Sequence, residues 1–106
     1  MANQLTFITK NQDKWNIGKS ILSKYGVDLL QEALETPEIQ AENVEDIAKY
    51  SAIFASDKLN VPVIKTDAGY YIEALNGFPG PYIKFINKWL TPSDIIKIME
   101  GKDNRK

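Results

Sequence analysis

Residues 76–81 constrain the fold more than any other stretch of this chain, because they combine two glycines and two prolines in six positions. Proline lacks the backbone N–H and glycine leaves the backbone unrestricted, so neither residue continues a helix or a strand well. We therefore predict an ordered loop here, between apolar segments at residues 70–75 and 82–90. A rigid loop at the edge of an α/β sheet commonly shapes a ligand pocket.

The rest of the chain alternates between strand and helix signals, which is typical of an α/β protein. Strands are predicted at residues 5–9, 27–34, 61–66 and 70–75. Helices are predicted from the polar turn after residue 9 to Gly26, from Asn43 onwards, over residues 82–90 as a mostly buried helix, and from Thr91 to Gly101. The first helix is indicated by residues at helical spacing, namely Trp15, Gly18, Ile21, Leu22 and Tyr25. The second helix is expected to have a buried stripe of Val44, Ile47, Ser51, Phe54 and Leu59. These elements predict a partial mixed sheet with flanking helices, in one domain over residues 1–106.

The composition excludes several kinds of site. The 106 residues include no cysteine and no histidine, which excludes disulfides, thiol nucleophiles, histidine-ligated metals and a histidine base within this chain. Any chemistry must therefore use carboxylates, lysines and a metal ion. A net charge of −1 does not indicate nucleic-acid binding. The first residues do not resemble a signal peptide, and no apolar run has membrane-spanning length, so we expect a soluble cytoplasmic protein.

The turn at residues 9–14 is the first candidate site. It joins a strand to a helix and contains Thr9, Asn11 and Lys14. Backbone N–H groups at a helix N-terminus, with a hydroxyl, an amide and an ammonium group nearby, form a natural phosphate cradle. The alternative is an ordinary capped helix start, since the glycines of a P-loop are missing.

Two carboxylates are candidate functional residues. Glu38 lies in a loop after Pro37, where the alternative is a solvated surface glutamate. Asp67 follows a predicted strand and precedes Ala68 and Gly69, where the alternative is a turn stabilised by the aspartate's own side chain. Mg²⁺ is bound through one or two carboxylates together with substrate phosphates. A carboxylate at a strand end beside a phosphate cradle is suited to this role.

The glycine- and proline-rich loop supplies candidate pocket residues. Gly77, Phe78, Pro79 and Gly80 lie within it, and Lys84 lies one turn into the following helix. The glycines permit positive φ or close backbone approach, and the prolines restrict the shape of the loop. Lys84 can present a positive charge to a pocket, and its alternative is an ordinary exposed helix lysine.

Taken in this order, the segments resemble the inosine triphosphate pyrophosphatase family, which comprises house-cleaning enzymes for non-standard purine nucleoside triphosphates. The matching motifs are Phe7-Ile8-Thr9 with Asn11 and Lys14, then residues 36–40, residues 63–69 and residues 73–84. The last segment is nearly a full match to the signature loop of the family. The resemblance covers essentially the whole chain and corresponds to the N-terminal half of family members. The expected fold is therefore the N-terminal lobe of that family.

The resemblance implies Mg²⁺-dependent hydrolysis between the α and β phosphates of ITP, dITP or XTP, which gives the monophosphate and pyrophosphate. In this chemistry the metal polarises the phosphate and lowers the pKa of the attacking water. The residues implied are Thr9, Asn11 and Lys14 for phosphate binding, Glu38 and Asp67 for the metal with Asp67 also catalytic, and Gly77, Phe78, Pro79, Gly80 and Lys84 for the substrate pocket. A homodimer or higher homo-oligomer is expected, because unpaired sheet edges promote association.

Four features depart from the family pattern. Thr66 stands where the family usually has the first of two adjacent acids, and Ser51 stands where a helix lysine is common. Lys10 replaces the usual glycine, which is expected to strain or narrow the phosphate cradle. The Ser-His-Arg element that reads the purine base in the family has no counterpart in a chain without histidine. These departures leave two alternatives open: a nucleotide- or phosphate-binding module without turnover, and an oligomeric fragment lacking the base-recognition lobe.

Overall fold

The computed structural model describes residues 3–106, which divide into two compact units. The first unit comprises the residues up to Gln40 together with Glu45–Thr66, and the second comprises Ala41–Val44 and Asp67–Lys106. The single domain over residues 1–106 stays a prediction. No helix among the described residues has the length and apolar character needed to span a membrane.

The first unit is built around a three-stranded parallel sheet. In this sheet β1 (Asn3–Ile8) lies between β2 (Val27–Glu32) and β3 (Val63–Ile64). β1 pairs with β2 along its whole length, but it pairs with β3 at only two residues. The first two predicted strands are confirmed with slightly different ends, whereas the strand predicted at residues 61–66 is much shorter. Parallel pairing brings the carboxyl ends of all three strands to one edge of the sheet.

Helix α1 (Gln12–Ser23) packs closely against this sheet through Gly18. A Cβ atom on Gly18 would lie 3.0 Å from Leu29 Cδ2 and 3.6 Å from the Phe7 ring, so the absent side chain allows the close approach. Phe7 and Leu29 are buried, at 6% and 2% exposure. The predicted helix stop is confirmed, since Gly26 has a positive φ of 73°.

The five residues that indicated α1 by their helical spacing differ in burial. Trp15 and Leu22 are half-buried, as is Gly18, whereas Ile21 and Tyr25 are 50% and 77% exposed. The three half-buried residues are three and four positions apart and share one helix face, while Ile21 lies to its side. Tyr25 follows the last helical residue, so the helical spacing no longer applies to it.

Helix α2 (Val44–Leu59) begins directly after the predicted start at Asn43. It buries Ile47, Ser51 and Ala55, which repeat every four residues and therefore share one face. The other predicted members of its stripe are half-buried, namely Val44, Phe54 and Leu59. The face is therefore confirmed, with one polar residue at its centre.

In the second unit, β4 (Tyr70–Tyr71) pairs antiparallel with β5 (Pro79–Gly80). The strand predicted over residues 70–75 is wrong beyond its second residue, because Glu73–Leu75 form a 3₁₀ helix. That helix ends at Asn76, which has a left-handed φ of 55° and donates its N–H back to the first residue of the helix. The fold class is confirmed as α/β with a parallel sheet and flanking helices, and the antiparallel pair forms a separate two-stranded ladder.

Helix α3 (Ile83–Trp89) occupies the predicted position, but the prediction that it is mostly buried is wrong. None of its residues, all of which the structure describes, is buried. Phe85 and Trp89 are 44% and 67% exposed, and their rings stack with centroids 5.7 Å apart. These side chains are four residues apart on one helix face, so they pack on each other rather than into a core.

Helix α4 (Pro92–Ile98) begins with the predicted cap. The Asp94 N–H donates to the Thr91 hydroxyl at 3.2 Å, and the Thr91 N–H donates to the Asp94 carboxylate at 2.8 Å. These two bonds form a capping box. The backbone N–H of Thr91, followed by its hydroxyl, holds the pKa of Asp94 below its usual value, because both donate to the ionised carboxylate.

This capping box predicts a loss of stability in acid. A carboxyl group whose pKa is lowered on folding stabilises the fold above its unfolded pKa of about 3.9, and the contribution is lost as the pH falls through the lower folded value. The wild-type protein is therefore expected to have a higher Tm than Asp94→Asn at about pH 6, and the two Tm values are expected to converge near about pH 2. Thermal unfolding followed by circular dichroism measures both. A Tm difference that is the same at the two pH values contradicts the prediction.

Candidate functional site

Three predicted motifs follow the carboxyl ends of the strands in the three-stranded sheet. Ile8 pairs with Glu32 and Phe7 pairs with Ile64, so the ends of β1, β2 and β3 lie close together at one edge. The turn at residues 9–14 follows β1, the loop that contains Glu38 follows β2, and β3 ends three residues before Asp67 along the chain. In open α/β sheets, ligands bind outside this edge. The edge is therefore the candidate functional site of the first unit.

The turn after β1 is held by hydrogen bonds at both of its ends. The Thr9 N–H donates to the Glu32 carbonyl at 3.1 Å, and Gln31 Nε2 donates to the Thr9 carbonyl at 3.3 Å. Further along, the Asn11 N–H donates to Thr9 Oγ1 at 3.1 Å, and the Lys14 N–H donates to Asn11 Oδ1 at 3.1 Å. Asn11 is therefore the N-cap of α1, and the turn is attached to the ends of β1 and β2.

This cap is compatible with a phosphate cradle. Thr9 and Asn11 use oxygen atoms as acceptors in the cap, which leaves the hydroxyl hydrogen and the amide NH₂ as donor groups. Lys14 is exposed in the first turn of α1 and carries a positive charge. The structure therefore confirms the capped helix start and brings these three residues together, while phosphate binding by them stays a prediction.

Lys10 does not strain the turn. Among the described residues, the non-glycine residues with positive φ are Asn60 and Asn76, so the backbone of Lys10 has an ordinary conformation. Its ammonium group forms an ion pair with Glu35, in the loop after β2. The expectation of strain is therefore wrong, because a side chain at this position extends to the neighbouring loop rather than crowding the turn.

Glu38 lies on an irregular loop that packs against α2. It is exposed, and the structure describes no helix or strand between Glu32 and Val44. The Ser51 hydroxyl, on the buried face of α2, donates to the carbonyl of Pro37 at 2.9 Å. The residue immediately before Glu38 is thus bonded to a helix of the first unit.

Asp67 and the glycine- and proline-rich loop are brought together in the second unit. Asp67 Oδ1 accepts from the Ala68 N–H at 2.8 Å, as predicted for a turn stabilised by its own side chain. Gly69 then lies against Gly80, because a Cβ atom on Gly69 would lie 2.9 Å from the Gly80 carbonyl oxygen. The β4–β5 ladder continues this contact. The two motifs therefore form one local structure.

The predicted pocket residues occupy different environments in the second unit. Gly77 and Gly80 have positive φ values of 93° and 58°, which confirms that glycine is required by the loop conformation. Pro79 and Gly80 are buried, whereas Phe78 and Lys84 are exposed. A cleft of about 410 Å³ is lined by Ala74, Leu75, Asn76, Phe78, Ile98 and Lys102. Its lining is mainly apolar and includes Phe78 and the basic Lys102, but none of the predicted phosphate or metal ligands.

Glu38 in the first unit and Asp67 in the second each offer a carboxylate, which is the kind of ligand that Mg²⁺ prefers. Both carboxylates are exposed, and the bond to the Ala68 N–H uses only one oxygen of Asp67. Within residues 3–106, no three side chains of the metal-binding types come together as a cluster. Mg²⁺ does not need such a cluster, because substrate phosphates and water complete its coordination. The residues therefore fit a metal that arrives with its substrate, rather than a permanent ion cage.

Sequence reasoning missed the structural partners of two residues. Ser51 stood out only as a departure from the family pattern, although a polar residue on a buried stripe already indicates a specific hydrogen bond. Lys10 and Glu35 are 25 positions apart, and no local pattern predicts their ion pair. Sequence reasoning also did not predict that Trp15 Nε1 is buried without a hydrogen-bond partner among the described residues.

A parallel sheet with polar loops at its carboxyl edge, and with a capped helix start after its central strand, defines an α/β protein whose architecture is common among phosphate- and nucleotide-binding proteins. The sequence model of the Ham1 family matches residues 5–106, and the chain belongs to this family.

Individual relatives agree with this assignment. The chain is 41% identical over 103 residues to the dITP/XTP pyrophosphatase of Methanopyrus kandleri, covering 97% of this chain and 55% of that protein. It is 34% identical to the dITP/XTP pyrophosphatase of Thermococcus kodakarensis, covering 97% of this chain and 56% of that protein. The Ham1 protein of Staphylococcus aureus has a similar structure, with a TM-score of 0.71 at 22% identity over 97% of this chain and 57% of that chain. The chain thus spans about half the length of the curated relatives it matches, and the resemblance identified from its motifs is confirmed.

Proposed function

We propose that the chain takes part in the Mg²⁺-dependent hydrolysis of non-standard purine nucleoside triphosphates (ITP, dITP and XTP) to the monophosphate and pyrophosphate. The observation that carries the proposal is the common edge of the parallel sheet, which the turn with Thr9, Asn11 and Lys14 and the loop with Glu38 both follow. The names of the relatives, dITP/XTP pyrophosphatases, support the reaction and the substrate class.

Each part of the chain has a role in this proposal. Thr9, Asn11 and Lys14 bind the phosphates through N–H and O–H donors and one positive charge. Glu38 and Asp67 hold Mg²⁺, which supplies positive charge to the phosphates and assists the attacking water. The loop from Gly77 to Gly80, with Lys84 after it, shapes the substrate pocket.

The reaction requires positioning more than a protein nucleophile. Water adds its oxygen to the α phosphorus, the bond from that phosphorus to the bridging oxygen breaks, and pyrophosphate leaves with the bridging oxygen. The water proton passes to a base, and Asp67 is the carboxylate proposed to accept it. A homodimer or higher homo-oligomer in the cytoplasm belongs to the same proposal, and the position of β2 at the edge of the sheet supports association.

The test is pyrophosphate release from inosine, xanthosine, adenosine and guanosine triphosphates, with and without Mg²⁺. The proposal expects release that requires Mg²⁺ and favours inosine or xanthosine triphosphate. A nucleotide-binding module without turnover is the second candidate, which is favoured by Thr66 standing where the family usually has the first of two adjacent acids. It expects a triphosphate to bind in the presence of Mg²⁺ with no pyrophosphate released.

A change at Asn11 is expected to separate helix capping from phosphate binding. Aspartate caps a helix as well as asparagine does, so Asn11→Asp keeps the bond to the Lys14 N–H and the stability of α1. Its negative charge repels the phosphates, and a repulsion of about 1–2 kcal/mol near a protein surface weakens triphosphate binding roughly 10-fold. Equilibrium titration of the inosine triphosphate–Mg²⁺ complex at low temperature, with Tm measured in parallel, tests this.

Asn11→Ala is the matched control, because it removes the cap without adding a charge. It is expected to lower the free energy of unfolding by about 1 kcal/mol and to weaken binding less than Asn11→Asp does. Wild-type affinity in Asn11→Asp would exclude the turn from phosphate binding.

A further inference from the structure

The buried face of α2 contains one hydroxyl group, which forms a hydrogen bond with the neighbouring loop. Ser51 is 1% exposed, and its Oγ donates to the carbonyl of Pro37 at 2.9 Å. A buried hydroxyl without a partner is costly, so this bond is strongly favoured in the folded state. The contact joins the middle of a regular helix to an irregular loop within the first unit.

The bonded carbonyl belongs to the peptide unit that leads into Glu38. The carbonyl of Pro37 and the N–H of Glu38 lie in one planar group, since the peptide bond does not rotate freely. The proline ring also fixes φ of Pro37. A hydrogen bond to this carbonyl therefore restricts the orientation of the backbone that carries the Glu38 side chain.

The loop has a second contact, which is weaker. Lys10 forms an ion pair with Glu35, but the two side chains are 63% and 82% exposed. Exposed ion pairs contribute little because water and salt screen them and the side chains lose entropy. The Ser51 hydroxyl is buried and its bond lies next to Glu38, so it is the stronger of these two contacts.

We propose that Ser51 is a positioning residue that orients Glu38 for divalent-cation binding by bonding the carbonyl of Pro37. The role assigned to Glu38 rests on the proposed function, whereas the anchoring of the loop does not. Ser51 itself touches neither metal nor substrate.

The experiment compares Ser51→Ala with Ser56→Ala. Both variants delete one serine hydroxyl of α2 that donates to a backbone carbonyl at 2.9 Å, but the partner of Ser56 is Val61, which precedes β3. Backbone amide order parameters from ¹⁵N relaxation report the loop, and the Mg²⁺ concentration that half-saturates pyrophosphate release reports the metal. The second quantity is nearly independent of the folded fraction at temperatures where most of each variant is folded.

Ser51→Ala is expected to lower the order parameters at Glu38 and Ile39 from about 0.85 toward about 0.6. It is also expected to raise the half-saturating Mg²⁺ concentration roughly 10-fold, as is common when a partner of a metal ligand is lost, with the rate at saturating Mg²⁺ retained. Ser56→Ala is expected to match the wild type in both measurements.

Two results would overturn the inference. Unchanged order parameters in Ser51→Ala would show that the hydroxyl does not anchor the loop. Lower order parameters with an unchanged half-saturating Mg²⁺ concentration would show that the Ser51 bond orders the loop but does not orient Glu38 for cation binding. If the proposed function is wrong, the wild-type protein will release no pyrophosphate. The order parameters then still decide whether the Ser51 hydroxyl anchors the loop.

Discussion

Replacing Asp67 with asparagine is expected to reduce Mg²⁺-dependent pyrophosphate release from inosine triphosphate roughly 100-fold, with little change in Tm. An asparagine oxygen can accept the Ala68 N–H that Asp67 Oδ1 accepts at 2.8 Å, so the turn is retained. In the proposed mechanism, the variant loses the negative charge that would hold Mg²⁺ and the group that would accept a proton. Loss of such a charge costs about 3 kcal/mol in the transition state, and each 1.36 kcal/mol is a factor of ten in rate.

The control for this variant is Asp103→Asn, which also removes one exposed carboxylate from the second unit. It is expected to keep the wild-type rate. Initial rates at saturating Mg²⁺ for the three proteins, together with their Tm values, provide the comparison. Equal rates in Asp67→Asn and the wild type would remove Asp67 from the mechanism.

Replacing Gly69 with alanine is expected to lower the free energy of unfolding by about 2–3 kcal/mol, the range for overpacking a close contact. An added Cβ atom would lie 2.8 Å from Tyr71 Cε2, 2.9 Å from the Gly80 oxygen and 3.1 Å from the Gly80 carbonyl carbon. The Tyr71 ring is 47% exposed and can move away. The backbone of β5 cannot move away without breaking its pairing with β4. The contact with the Gly80 backbone therefore determines the loss of folding free energy.

Gly101→Ala is a matched change in the same unit. Gly101 has a positive φ of 75° and no atom within 4 Å of an added Cβ, so only backbone strain opposes the substitution. That strain costs about 1 kcal/mol. Urea unfolding of both variants gives the two free energies. A cost for Gly69→Ala no larger than that for Gly101→Ala would mean that β5 adjusts freely.

Local signals predicted much of the fold. The helix stops at Gly26 and Gly101 and the cap at Thr91 are confirmed, because each depends on the conformation of a few neighbouring residues. The lengths of β3 and β4 could not be predicted in this way, since a strand extends only as far as a partner pairs with it. Residues 73–75 show the limit, because the left-handed Asn76 favours a 3₁₀ turn over an extended strand.

The candidate site could also be predicted from the sequence only in part. The residue types of the turn indicated phosphate chemistry, and the family resemblance implied a metal ligand at Glu38. The parallel sheet brings those two segments to one edge. The bond from Ser51 to Pro37 depends on how α2 packs, and no spacing along the chain predicts it. The exposure of Phe85 and Trp89 was missed for the same reason, since an apolar pattern does not show whether a core is available to receive it.

Because Gly18 has no side chain, α1 lies in close contact with the sheet at this position. A side chain added at Gly18 would therefore displace the helix. A methyl group on Gly18 would lie 3.0 Å from Leu29 Cδ2. Leu29 is only 2% exposed and has little room to move, so α1 would take up part of the displacement. The start of α1 is six residues away, or roughly 9 Å at 1.5 Å per residue, and it would move with the helix. A displacement of about 1 Å at a reacting group can cost 100-fold in rate. If the chain acts as proposed, a substitution at Gly18 would therefore look like a catalytic defect in a kinetic assay, although this residue sets the spacing between helix and sheet.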